Sequence, residues 1–177
     1  SFEEYYEWTC TQQGVRIKII HTDNGGEYTG KKFQAALKAR GIEHETTASH
    51  SPFQNGVPER KNLTLSSLAH CVFQQSGLPV RFWADAVLFV NYVTNRAPTA
   101  ANAGVSPYEV WTNGRKPKLS HLHIFGCKAE VLVETHLTKF APRTRQCYYL
   151  GPNYTGKGDR FYDPLTKKTI VSRNATF

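Results

Sequence analysis

The sequence predicts an α/β front of strand, helix and strand, followed by more helices and then a small all-β rear. Apolar residues recur at helical spacing before residue 112, whereas short strand-like runs dominate from Ile124 onward. Residues 1–112 hold ten Lys or Arg and ten Asp or Glu, and residues 113–177 hold twelve and four, so the last third carries the whole net charge of +8. A basic unit favours the binding of a polyanionic partner, although a solvated basic surface without a partner explains this charge equally well.

The first part of the chain is predicted to contain a βαβ unit. Helical spacing over residues 2–12 predicts an opening helix, and the dense β-branched run over 15–23 predicts a buried strand. Helical spacing returns over 31–40, and the segment IEHETTA then alternates as a short strand. A strand, a helix and a strand within about 30 residues form a βαβ unit, so the two strands should be parallel with a right-handed crossover.

Further helices are predicted in the middle of the chain. A long helix follows the SPFQNGVP loop, and Pro58 falls in its first turn, where a missing N–H costs nothing. A second helix is predicted over 81–96, and SPYEVW is expected to form a short one. Residues 1–112 are therefore assigned to one domain.

The rear of the chain is predicted to be a separate domain. Residues 113–120 contain Gly, Pro and Lys and are expected to be a linker, and residues 121–177 are expected to form a small all-β unit. Its strand-like runs are CKAEVLVE, QCYYLG, DRFYD and KKTIVSR, and a hairpin turn at Asp163 joins the last two. We expect this unit to pack its own core, with few contacts to the helices.

The cysteine spacing and the length of the apolar stretches argue against a zinc site and against a membrane partner. The four Cys are widely spaced and form no C-x-x-C pair, so the sequence gives no sign of a zinc site. Uninterrupted apolar stretches stay shorter than the ~18 residues of a membrane-spanning helix, so no membrane partner is expected.

Two carboxylates are placed where a metal site could form. Asp23 ends the predicted first strand, and Glu59 lies in the first turn of the long helix. Sites are built at such strand ends in α/β sheets, yet Asp-Asn-Gly is also a common turn and Glu complements a helix dipole. Together, the two side chains can be brought close by the strand–helix–strand–loop–helix frame. Paired carboxylates bind hard divalent cations, which support phosphoryl transfer.

Longer segments carry a family resemblance. HTDNGGEY, SPFQNGVPERKN, FWADAVLFVNYVTNRAPT, SPYEVW and HLHIFGC resemble the integrase of copia-type LTR retrotransposons. YYLG and GDRFYDPLTKKTIVSRNATF resemble the SH3-like domain that follows the catalytic core in those Pol polyproteins. The resemblance implies an α/β fold made of a partial RNase H-like integrase core over 1–112 and an SH3-like β-barrel over 121–177. It also implies metal-dependent joining of a donor DNA 3′-hydroxyl to target DNA.

The resemblance also assigns roles to residues. Asp23 and Glu59 would be the second and third members of an Asp, Asp, Glu triad that holds Mg²⁺ or Mn²⁺. Further residues would border the site or contact nucleic acid: Asn24, Gln54, Asn55, Gly56, Arg60 and Lys61. Arg60 and Lys61 fit a solvated helix face equally well. The expected partners are retrotransposon ends and target DNA, RNA as a further nucleic acid, and other integrase subunits in the nucleus, although no targeting signal is visible.

Two of the departures from the family pattern bear on activity and on the expected metals. The first Asp of the triad lies on the first strand of that fold, whereas the acids before Asp23 are Glu3, Glu4 and Glu7, all in the predicted opening helix. We therefore expect the first strands to be missing and this chain to be inactive by itself. The family's upstream His/Cys zinc region is also absent, so no zinc is expected. The alternatives are a non-catalytic nucleic-acid-binding module derived from an integrase, and a relic without a present role.

Overall fold

A computed structural model of the chain describes residues 2–46, 56–132 and 143–177. These residues mix helices with a parallel strand pair and an antiparallel sheet. By internal contacts the chain divides into two compact units, Ser1–Asn62 and Leu63–Phe177. The division falls inside one helix, and it does not coincide with the predicted boundaries at 112 and 121. It stays a prediction that residues 1–112 form part of an integrase core, that 113–120 form a linker and that 121–177 form an SH3-like barrel.

The first unit contains the predicted βαβ arrangement. Its elements are α1 (Phe2–Gln13), β1 (Ile19–Thr22), α2 (Gly26–Thr29), α3 (Lys31–Arg40), β2 (Glu43–Thr46) and the start of α4 (Gly56–Ser76). β1 and β2 pair in parallel, with Ile20 opposite His44. α3 ends at Gly41, whose φ of 66° lies in the left-handed region and whose N–H caps the carbonyls of Leu37 and Lys38. The prediction of a parallel βαβ unit is therefore confirmed.

The prediction that the first strand is buried is wrong. β1 begins at Ile19 rather than at Val15, and both side chains are 51% exposed. β1 pairs with β2 on one side, and no further strand joins this pair within the described residues. A β-branched run becomes buried only where neighbouring strands and helices cover both faces of its sheet. The buried apolar residues of this unit are instead Leu37 and Ile42.

The longest helix, α4, runs over 21 residues from Gly56 to Ser76. Pro58 and Glu59 fall in its first turn, as predicted. Gly77 follows it with a φ of 63°, which ends the helix in the left-handed region. Across 2–46, 56–132 and 143–177, none of the helices combines the length and the apolar character that crossing a membrane requires.

The second unit joins helices to a five-stranded antiparallel sheet. After α4 its elements are a 3₁₀ turn (Val80–Phe82), α5 (Trp83–Thr94), a 3₁₀ turn (Ala100–Asn102), α6 (Pro107–Trp111), β3 (Lys128–Leu132), β4 (Thr144–Pro152), β5 (Asp159–Asp163), β6 (Lys168–Ser172) and β7 (Ala175–Thr176). The strands pair in the order β6-β5-β4-β3-β7. Ser106 caps the start of α6, because its hydroxyl accepts the N–H of Glu109 at 3.2 Å.

The hairpin between β5 and β6 is organised by a buried carboxylate. Asp163 is 1% exposed, and its Oδ1 accepts the N–H groups of Leu165 at 2.9 Å and Thr166 at 3.3 Å. Arg145 donates to Oδ2 at 3.0 Å. Burial by itself would raise the pKa of Asp163, but the hydrogen bonds from Thr166, Arg145 and Leu165 outweigh it and lower the pKa. The predicted hairpin turn at Asp163 is confirmed.

The prediction that 121–177 packs separately from the helices is wrong. One hydrophobic cluster contains buried residues of α5 and of the sheet, including Phe89, Val90, Tyr149 and Phe161. The Phe89 ring lies 5.6 Å from that of Phe125 and 6.2 Å from that of Tyr149. The physical reason is that a single sheet has an apolar face that its own strands do not cover, and the apolar face of α5 covers it.

Candidate metal site and basic groove

Asp23 directly follows the last residue of β1, in an exposed turn. The N–H of Gly25 donates to Asp23 Oδ1 at 3.1 Å, and the Thr22 hydroxyl donates to the Asp23 carbonyl at 2.9 Å. The Asp-Asn-Gly segment therefore forms a turn, as expected, and it places a carboxylate at the carboxyl end of a parallel strand. This end is where α/β sheets build their sites.

A second carboxylate, which the sequence analysis missed, lies just after this turn, at Glu27 in the first turn of α2. A Cβ on Gly25 would stand 2.9 Å from Glu27 Oε2 and 3.1 Å from Asp23 Oδ1, closer than ordinary carbon–oxygen contacts. The missing side chain at Gly25 therefore lets both carboxylates approach the same side of the turn. The signal was present in the sequence, because Glu27 follows Asp23 by four residues across two glycines.

Glu59 is exposed in the first turn of α4, as predicted. Gly56 opens that helix. That Asp23 and Glu59 approach each other stays a prediction.

The other predicted site residues come from the turn after β1, from α4 and from two positions that precede α4 in the sequence. Asn24 is exposed in the turn after β1, Arg60 is exposed on α4, and Lys61 is half-buried there. Gln54 and Asn55 lie outside the described residues. Their proposed contacts with nucleic acid stay predictions.

The side chains of Asp23, Glu27 and Glu59 offer carboxylate oxygens, which are donors of the type that a hard divalent cation binds. Carboxylate oxygens are the ligands that Mg²⁺ and Mn²⁺ prefer, and Gly25 provides the space in which Asp23 and Glu27 can converge. Within the part of the chain that the structure describes, no group of three or more His, Cys, Asp or Glu side chains lies close enough to hold a metal ion.

A basic groove lies on the sheet of the second unit. It has a volume of about 740 Å³ and borders β6, the end of β3 and the start of β4. Four cationic side chains line it: Arg145, Lys157, Lys168 and Arg173. The Asp163 carboxylate in its wall is buried and paired with Arg145, whereas the other three cations are exposed. The electrostatics of the groove therefore favour an anion.

The sequence analysis found the basic rear but not this groove. The four cations are spread over 29 residues of sequence, and only the pairing of β4, β5 and β6 brings them to one surface. No local pattern marks such residues, because their proximity depends on strand register.

Comparison with known proteins identifies the relatives of this chain. Residues 127–177 match the family described as the retroviral polymerase SH3-like domain. The chain is 35% identical over 177 residues to the "Retrovirus-related Pol polyprotein from transposon TNT 1-94" of Nicotiana tabacum, with 99% of the chain covered. It is 28% identical over 164 residues to the corresponding polyprotein from transposon RE1 of Arabidopsis thaliana, with 92% covered. The resemblance to copia-type retrotransposon Pol polyproteins is confirmed over nearly the whole chain.

The relatives are much longer than this chain. The chain spans 13% of the Nicotiana tabacum polyprotein and 11% of the Arabidopsis thaliana one. Among solved structures, a simian T-cell lymphotropic virus intasome in complex with the PP2A regulatory subunit B56 gamma aligns at 18% identity and a TM-score of 0.49. That alignment covers 87% of this chain and 59% of the viral one, and it is too distant to assign a fold.

Proposed function

We propose, from the similarity of this chain to the integrase region of copia-type Pol polyproteins, that it contributes to the active site of a metal-dependent DNA-joining enzyme. The turn at Asp23 carries the proposal, because it combines a strand-end carboxylate with a glycine that leaves room beside it. The parallel pairing of β1 and β2 supports an RNase H-like core in the intact enzyme, since such a fold holds its carboxylates at strand ends.

The residues of the chain have distinct roles in this proposal. Asp23 and Glu59 hold Mg²⁺ or Mn²⁺ through their carboxylate oxygens. When bound there, such ions would supply the Lewis-acid chemistry that favours attack by a 3′-hydroxyl and departure of the leaving oxygen in phosphoryl transfer. The Gly25 N–H orients the Asp23 carboxylate by its bond to Oδ1. Arg60 and Lys61, at the start of α4, contact the phosphates of the DNA.

We propose that the chain by itself does not join DNA. The two-ion mechanism needs ligands that clamp both ions at once, and Asp23 with Glu59 supplies two of the three carboxylates that the family resemblance implies. The intact enzyme would act on retrotransposon ends and target DNA, as an oligomer, in the nucleus.

Strand transfer tests this function directly. A longer Pol polypeptide that includes this chain and the segment before it should join a labelled DNA end to target DNA when Mg²⁺ or Mn²⁺ is added. The purified chain alone should give no product under the same conditions. Activity of the chain alone that disappears with Glu59→Gln would contradict the inactivity proposal, and an inactive longer polypeptide would contradict the enzyme proposal.

The basic groove favours a second candidate function, a nucleic-acid-binding module that acts without catalysis. Its exposed cations face one continuous cleft, which suits a phosphate backbone, whether DNA or RNA. The two candidates are compatible in an intact enzyme and differ in the need for Asp23 and Glu59.

We expect the groove to dominate DNA binding by the full chain. Replacing Lys157, Lys168 and Arg173 together by Ala should reduce the slope of log K against log salt by about 2 to 3, since each lost phosphate contact removes about 0.9. Fluorescence anisotropy with a short duplex at several salt concentrations measures the slope. The full chain is required, because α5 and the sheet share one core.

The matched control removes the same charge from the first unit. Lys31, Lys32 and Lys38 lie exposed on α3, and their joint replacement by Ala should leave the slope almost unchanged. If the α3 variant loses as much of the slope as the groove variant, binding depends on net charge and the groove has no special part.

A further inference from the structure

A chain of hydrogen bonds passes through His44 and spans the turn that carries Asp23. The Gln34 amide nitrogen lies 2.9 Å from the Tyr28 carbonyl and 2.7 Å from His44 Nδ1. On the other side of the ring, His44 Nε2 lies 2.8 Å from the Thr22 hydroxyl, which donates to the Asp23 carbonyl. The series therefore starts at Tyr28, on the helix α2 that follows the turn, and finishes at Asp23, with which the turn begins.

The partners at both ends decide which nitrogen of His44 carries the proton. The Tyr28 carbonyl can only accept, so it orients the Gln34 amide with its NH₂ toward Tyr28 and toward His44 Nδ1. Nδ1 must then be an acceptor. The Thr22 hydroxyl gives its hydrogen to the Asp23 carbonyl and must accept from Nε2–H. Every donor in the series has an acceptor only when His44 is neutral and protonated at Nε2.

The series joins four elements of the first unit. Thr22 ends β1, His44 lies on β2, Gln34 is on α3 and Tyr28 is on α2. The His44 ring also packs edge-on against Phe33, with centroids 5.7 Å apart. The polar contacts and the ring contact together leave the imidazole little freedom to rotate.

We propose that His44 is a positioning residue that fixes the Asp23 turn through its Nε2-protonated tautomer. Through Thr22 and Gln34 it links Asp23 to Tyr28, and Glu27 lies between these two residues in the sequence. Its importance for metal binding rests on the proposed function, whereas its hold on the turn does not. Ligands of a metal are commonly oriented in this way by residues that do not touch the ion.

Three variants of the full chain test the proposal. His44→Phe keeps a ring against Phe33 but removes both hydrogen bonds. His44→Gln keeps one donor and one acceptor and should restore part of the effect. His21→Phe is the matched control. His21 lies on the neighbouring strand β1 and on the opposite, exposed face of the sheet, where it pairs with Glu45 at 3.5 Å.

Two measurements by NMR follow. The ¹⁵N shifts of the wild-type imidazole should show the Nε2-protonated tautomer for His44. In His44→Phe, exchange of the Gly25 amide in the turn and of the Tyr28 amide in α2 should accelerate roughly 2- to 10-fold, the effect of losing one net hydrogen bond. Exchange of the Ile42 amide, which donates to the Leu37 carbonyl at 3.0 Å, should change little. His44→Gln should exchange more slowly than His44→Phe, and His21→Phe should match the wild type.

The outcomes separate the two proposals. An Nδ1-protonated His44, unchanged turn exchange in His44→Phe, or equal acceleration at Ile42 would overturn the positioning role. A Mn²⁺ titration is a further measurement. The Mn²⁺ concentration that broadens the NMR signals of residues near Asp23 should be about 10-fold higher for His44→Phe than for the wild type. If Mn²⁺ does not broaden the Asp23 region of the wild type, the metal-site proposal fails, and the amide exchange still decides the role of His44.

Discussion

Asp23→Asn and Glu59→Gln should each reduce metal-dependent strand transfer by at least about 100-fold in a longer Pol polypeptide that includes this chain. Residues that only orient metal ligands already cost about 10- to 100-fold, so a residue that itself holds an ion should cost more. Both substitutions keep the size of the side chain and remove its charge. A single-turnover assay with saturating DNA separates this loss from a change in DNA binding.

The control for these variants is Glu43→Gln, which removes one exposed carboxylate from β2. It should keep strand transfer within a small factor of the wild type. Equal losses in all three variants would mean that general charge or folding, rather than ion binding, explains the effect. Full activity of Asp23→Asn would remove Asp23 from the site.

Phe89→Ala should destabilise the second unit by about 3–5 kcal/mol, as expected for deleting a buried aromatic ring. Phe89 is 8% exposed on α5, and its ring contacts those of Phe125 and Tyr149. The loss should appear in the sheet as well as in the helix, because both share one core. Denaturant unfolding, followed by helix circular dichroism and by amide exchange of β4, measures it.

Leu88→Ala is the matched control on the same helix. Leu88 is 46% exposed, so its replacement should cost about 1 kcal/mol at most. If Phe89→Ala destabilises α5 but leaves the amides of β4 protected as in the wild type, the helix and the sheet fold independently and the single core is refuted.

Local patterns predicted most elements but not how they pack. The βαβ unit followed from helical and strand-like spacing, and the hairpin at Asp163 followed from a four-residue turn signal. The burial of β1 and the independence of the rear were wrong, because both depend on which faces other elements cover. A β-branched run such as that at Ile19 carries no information about the neighbours its sheet will have.

The candidate site shows the same division. The positions of Asp23 at a strand end and of Glu59 at a helix start could be predicted because such ends can be located from the sequence, whereas their role at a site stays a prediction. Glu27 was visible in the sequence but was not considered. The groove cations and the role of His44 depend on strand register and on hydrogen bonds between distant residues, which spacing along a chain does not reveal.

The separation of the Asp23 and Glu59 carboxylates tests the central claim most directly. A crystal structure of the chain grown with Mn²⁺, whose anomalous signal locates the ion, measures it. The account predicts that an ion lies beside Asp23 and that Glu59 is near enough to share it. Carboxylates separated by more than roughly 8 Å, beyond the reach of ~2.1 Å ligand bonds to one or two ions, would contradict it.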